Sequence, residues 1–134
     1  MESCSGHRVV DCSEEVIDAA LTAATVVHRE LGPGLLESVY ERALMIELAE
    51  VGLRADRQVE IPVHYRGHEL GIGFRADVIV EDALLLELKS VDNVTPVHLA
   101  QVITYLKLLG FRRGFLLNFS RPLMKEGIQR VSIG

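Results

Sequence analysis

Two short runs in the middle of the chain, Phe74-Arg75-Ala76-Asp77-Val78-Ile79-Val80 and Leu84-Leu85-Leu86-Glu87-Leu88-Lys89-Ser90, leave little freedom in how they fold. In the first, Leu70, Ile72, Phe74, Ala76, Val78 and Val80 alternate with Gly71, Gly73, Arg75, Asp77 and Ile79, the period of a strand. Asp77 is then expected to face away from the apolar stripe. In the second run Leu84, Leu86 and Leu88 share one face, so Glu87 and Lys89 point together to the other. The connection decides whether the charged faces coincide, because a slip of one residue moves a whole set of side chains across the sheet. A loop of Glu81-Asp82 alone sets Asp77 opposite Leu86. Including Ala83 pairs Val80 with Leu84, Val78 with Leu86 and Asp77 with Glu87, and this longer loop is the expected one.

Side chains directly opposite each other lie about 4.5–5.5 Å apart at Cβ, where like charges repel. One compensation is a hard divalent cation such as Mg²⁺, which takes one or two carboxylates and leaves its other positions to water and phosphate. The other is a surface ion network in which Lys89 and Arg75 neutralise the acids.

A chain of 134 residues supports one domain with a real core and is short for two. Hydrophobic residues at 49% and charged residues at 25% fit a globular protein, and no apolar run reaches the roughly 18 residues of a membrane span. Residues 1–12 read as a flexible N-terminal tail without the apolar core of a secretion signal, so the expected location is the cytoplasm. Cys4 and Cys12 lack zinc-ligand spacing and read as ordinary thiols. The net charge of −5 argues against a protein that coats nucleic acid by bulk electrostatics. From Tyr105 onward, however, six basic residues (Lys107, Arg112, Arg113, Arg121, Lys125, Arg130) face one acid, Glu126, so a basic face toward phosphate is one reading of that segment and a solvated surface the other.

Ser13-Glu14-Glu15 opens a first helix with a hydroxyl cap and acids in its first turn; Val16, Ala20, Ala23, Val27 and Leu31 form its stripe and Gly32-Pro33-Gly34 ends it. His28 near its end reads as a structural histidine. A second helix is expected from about Leu35 to Glu50, with Leu36, Val39, Tyr40, Ala43, Ile46 and Ala49 buried. Glu37 falls in its first turn, where the Tyr40 hydroxyl could orient the acid. Gln58–Tyr65 reads as an edge strand because of Pro62, and Arg66-Gly67-His68 turns the chain into the Asp77 strand. Thr95 caps a third helix with Pro96 in its first position and Gly110 at its close; His98, Gln101 and Tyr105 line one face of it. Gly114–Phe119 is a buried strand whose crossover implies a parallel partner, and Ile128–Ile133 alternates as a last edge strand.

Gly34-Leu35-Leu36-Glu37-Ser38-Val39-Tyr40 fits the signature GxxExxY, and with Phe74-Arg75-Ala76-Asp77, Glu87-Leu88-Lys89 and His98-Leu99-Ala100-Gln101 the chain resembles the GxxExxY proteins of the PD-(D/E)XK nuclease superfamily over nearly all of residues 13–133. The resemblance implies one domain over residues 13–134 and an α/β fold, a restriction-endonuclease-like mixed β-sheet flanked by helices in the order α-α-β-β-β-α-β. It implies Asp77 and Glu87 as metal-binding acids, Glu37 as a helix acid that helps hold the metal, and Lys89 as the lysine of the (D/E)xK element. Gln101 and Tyr105 match a supporting QxxxY element. The implied chemistry is Mg²⁺- or Mn²⁺-dependent hydrolysis of phosphodiester bonds in DNA or RNA. A non-catalytic nucleic-acid or protein-binding module with the same architecture is the alternative. A homo-oligomer or a partner protein remains open, and no membrane partner is expected.

Overall fold

The computed structural model describes residues 9–134. Two helices, α1 (Glu14–Leu31) and α2 (Glu37–Glu50), precede a meander of β1 (Ala55–Tyr65), β2 (His68–Val80) and β3 (Leu84–Lys89). Helix α3 (Pro96–Leu109) then leads to β4 (Arg113–Asn118), the short α4 (Met124–Gly127) and β5 (Ile128–Ser132). The five strands form one sheet in the order β1-β2-β3-β4-β5, parallel only between β3 and β4. A strand that returns in parallel after α3 is the crossover expected from the sequence.

Local chemistry accounts for the element ends. Ser13 caps α1 by accepting from the Val16 amide. Thr95 and His98 form a reciprocal capping box at α3, and Gly110 closes that helix in the left-handed region at φ 74°. Arg66-Gly67 make the first hairpin turn with φ 51° and 80°. In the second, Glu81 and Asp82 have φ 53° and 55° while the Ala83 amide donates to the Val80 carbonyl, so Ala83 belongs to the loop and Val80 pairs with Leu84 and Val78 with Leu86.

Two cores sandwich the sheet. Ile17, Ala20, Ala24 and Val27 of α1 and Tyr40, Leu44 and Leu48 of α2 pack on Val78, Val80, Leu84, Leu86, Leu88, Phe115 and Leu117. On the other side Val102 and Leu106 of α3 meet Phe74, Ala76, Ile79, Leu85 and Leu116. Phe74 and Ala76 thus lie on the opposite side from Val78 and Val80, although all four have even numbers. Beta strand β1 behaves likewise, with Ala55 on the α1–α2 side and Val59 and Ile61 on the α3 side. The single stripe expected from Leu70 to Val80 is therefore split: both strands change face at Gln58 and Asp77, where Gln58 has φ 53°. Beyond the core, Leu70 and Ile72 are exposed on a hairpin that projects past the layers.

The α2 stripe also departs from expectation. Tyr40, Leu44 and Leu48 are buried together with Glu41, whereas Leu36, Val39, Ile46 and Ala49 are exposed. The Tyr40 hydroxyl does not orient Glu37. It donates to the Gly32 carbonyl at 2.6 Å and accepts from the Leu35 amide at 3.0 Å, while its ring stacks on Phe119 at 4.4 Å. Buried His28 bonds the Arg121 carbonyl at 2.8 Å, a structural role. Of the expected tail, Cys4 lies outside the described residues, but Val10 bridges Phe111 and Cys12 is buried in the core as a free thiol. No helix among the described residues is long and apolar enough to cross a membrane.

These placements give a reversed order of sensitivity along α2. Leu44→Ala should lower unfolding free energy by about 2–4 kcal/mol in urea titrations, and Ile46→Ala by less than about 1 kcal/mol. Tyr40→Phe keeps the stack but leaves the Gly32 carbonyl and Leu35 amide without their shared partner, a loss of about 1–2 kcal/mol.

Candidate active site

The β2–β3 ladder stops at Val78 and Leu86, and carboxylates take over from it. Glu87 accepts from the Asp77 amide at 2.9 Å, and Asp77 accepts from the Leu88 amide at 2.9 Å. One turn of strand further, Glu37 accepts from the Ser90 amide at 3.2 Å, and the Ser90 hydroxyl donates to the Leu35 carbonyl. The two amides that β3 offers past the end of the ladder are thus satisfied by Asp77 and Glu37, which fixes both acids by the geometry of a main chain.

Burial sets their electrostatics. Glu87 is 5% exposed, and loss of hydration, with the Asp77 charge second, pushes its pKa up to about 8. Asp77 is half-buried and also raised, first by burial, against the stabilising Leu88 amide, with the Glu41 charge adding to the rise. Lys89 shares the α3-facing side of β3 with Leu85 and Glu87, favours the ionised form of both acids, and among the described residues makes no ion pair within 4 Å. Arg75 pairs instead with Glu60 at 2.9 Å on exposed strand surface, so the ion-network reading in which Arg75 neutralises the acids is not what forms.

From α3, Tyr105 stacks on Phe74 with ring centroids 3.8 Å apart, and its phenol is raised by burial and by the charges of Glu87 and Asp77. Gln101 is exposed on the same helix, one turn before it. The structure therefore brings Asp77 and Glu87 within electrostatic reach of Lys89, Tyr105 and Glu37. Asp77 and Glu87 present two hard oxygen donors, the number that Mg²⁺ commonly takes from protein. No group of three or more His, Cys, Asp or Glu side chains is gathered closely enough to hold a metal among the described residues.

Three residues beside the site carry no signature in the sequence. Buried Glu41 accepts from Arg57 Nη1 at 2.6 Å and from the Gln58 amide nitrogen, and together with Glu37, Ser38, Asp77 and Leu88 these line a cavity of about 390 Å³. The signal available in the sequence was Glu41 itself, one residue after Tyr40 and one helical turn after Glu37. Two of the basic C-terminal residues lie elsewhere, Arg113 pairing with Asp11 and Glu14 and Arg130 with Glu14, whereas Arg121 lines a cavity with Asp92, Asn118 and Glu126. Because Arg113 sits beside Leu84 while Asn118 sits beside Lys89, the Arg113 cluster is at the other end of the sheet from the acids.

Glu87 and Asp77 both bind protons more tightly folded than unfolded; the stability Glu87 contributes is full below about pH 4.5 and is lost as pH rises through about 8, and Asp77 acts in the same direction. In metal-free buffer the folding free energy should fall over that window by on the order of 2–5 kcal/mol, and Glu87→Gln should flatten most of the slope in urea titrations run at each pH.

A family model described as the PD-(D/E)XK nuclease superfamily matches residues 12–131. No curated protein and no solved structure gives a significant match. The matched span contains α1, α2, the meander with both acids, α3 and β4, and the mixed five-stranded sheet between helices is the restriction-endonuclease-like arrangement. On that match the chain belongs to the PD-(D/E)XK nuclease superfamily.

Proposed function

We propose that the chain is a cytoplasmic nuclease of the GxxExxY branch that hydrolyses phosphodiester bonds of DNA or RNA with Mg²⁺ or Mn²⁺. The observation that supports this most is the pair of contacts where β2 and β3 part, with buried Glu87 accepting from the Asp77 amide, half-buried Asp77 accepting from the Leu88 amide, and Lys89 close enough to favour the charge of both acids. Asp77 and Glu87 would hold the cation and Glu37 would assist from the start of α2. A divalent cation there supplies positive charge against the phosphate and a water of lowered pKa. Lys89 orients that water and offsets the negative charge that builds on the phosphorus oxygens. Gln101 and Tyr105 approach the substrate phosphate from α3.

One observation favours a second reading, a non-catalytic binding module. Among the described residues no three potential ligands converge, and a net charge of −5 with 5% aromatic residues gives little autonomous grip on nucleic acid. On that reading a second copy or a partner protein supplies the grip.

Cleavage of a panel of single- and double-stranded DNA and RNA separates the two. Native protein should cut at least one substrate with Mg²⁺ or Mn²⁺ and stop on chelation. Asp77→Ala and Lys89→Ala should each lose about 100-fold or more, and Tyr105→Phe about tenfold. Equal activity in the native protein and both alanine variants would mark a contaminant and remove the nuclease reading.

A further inference from the structure

Among the described residues four non-glycine residues have positive φ, and three of them, Arg66, Glu81 and Asp82, sit in hairpin turns where that conformation makes the turn. The fourth, Gln58 at φ 53°, lies within the 11-residue strand β1, where a left-handed residue interrupts pairing and costs conformational energy. Gln58 and its cross-strand neighbour Asp77 are skipped between the pairs Arg57–Val78 and Val59–Ala76, and it is here that both strands change face. The strain has a consequence for one atom group. It turns the Gln58 amide nitrogen to Glu41 and to Asp77 Oδ1, the latter at 3.5 Å. Glu41 is itself 5% exposed and is fixed from its other oxygen by Arg57. Asp77 is thus approached from two sides, bonded firmly at Oδ2 by the Leu88 amide at 2.9 Å and met at Oδ1 by Gln58 at the long end of hydrogen-bond distance.

We propose that Gln58, anchored by Glu41 and Arg57, is a positioning residue that aims the Asp77 carboxylate for a divalent cation. The proposal rests on the nuclease reading above. Glu41 fixes the amide, the amide fixes Oδ1, and Asp77 is kept from rotating out of line with Glu87. Ligands held in this way lose affinity for their ion when the supporting group is removed, by about 10–100-fold.

Two variants separate positioning from plain structural support. Gln58→Gly removes the amide and relieves the positive φ; Gln58→Met removes the amide but keeps the bulk and the backbone strain. Mn²⁺ affinity is measured by calorimetry on the full chain, beside thermal unfolding in chelator. Both variants should bind Mn²⁺ about tenfold or more weakly than native, while the thermal midpoint of Gln58→Gly stays within about 3 °C. Native affinity in folded Gln58→Gly overturns the proposal and leaves the nuclease reading standing. Weakened affinity only in Gln58→Gly also overturns it, because the altered backbone and not the loss of the amide would then be responsible. A native protein that binds no Mn²⁺ and cuts no substrate overturns the nuclease reading, and the role of Gln58 with it.

Discussion

The site depends on a substitution of bonding partners: where β2 parts from β3, carboxylates replace carbonyls as acceptors for the main chain. A part-buried amide left without an acceptor is costly, so the carboxylate oxygens of Asp77 and Glu87 steady the strand ends. The acids in turn are tolerable inside because each meets an amide. Neither requirement is met alone, and together they hold two carboxylates, whose charges repel, in one place without an ion pair to Arg75.

The layers around the sheet serve that geometry from both sides. Helix α2 delivers Glu37 and Glu41 toward the parted strands, and its direction is set by Tyr40, which ties the preceding turn while stacking on Phe119. Helix α3, started by its Thr95–His98 box, delivers Tyr105 onto Phe74. The change of face in β1 and β2 lets one pair of strands line the α1–α2 core at one end and the α3 core at the other, with the acids at the crossing.

Much of this was legible in the residues. The loop through Ala83 and the alignment of Asp77 with Glu87 followed from matching apolar faces, because only one register satisfied both strands. Helix ends at Ser13, Thr95 and Gly110 followed from capping chemistry. The α2 stripe did not, since Leu36, Val39 and Ile46 repeat at helical spacing as well as Tyr40, Leu44 and Leu48 do, and periodicity holds no information on which of two stripes meets the sheet. The turnover at Gln58 carries no glycine to announce it. Glu41 looks like a solvated residue until Arg57, sixteen positions later, is found against it.

The projecting part of the β1–β2 hairpin is held differently from the rest. From Pro62 to Gly73 the ribbon is paired through its backbone with little covering it, and Gly73 is where Val63 crosses so closely that any side chain would collide. Fraying there exposes almost no additional apolar surface, so the tip can open and close on its own while the acids, on the inner side of the Val59–Ala76 pair, keep their arrangement. Amide exchange should accordingly run fast at Leu70 and Ile72 and slow at Leu88, placing the pliable and the rigid ends of the molecule on a single pair of strands.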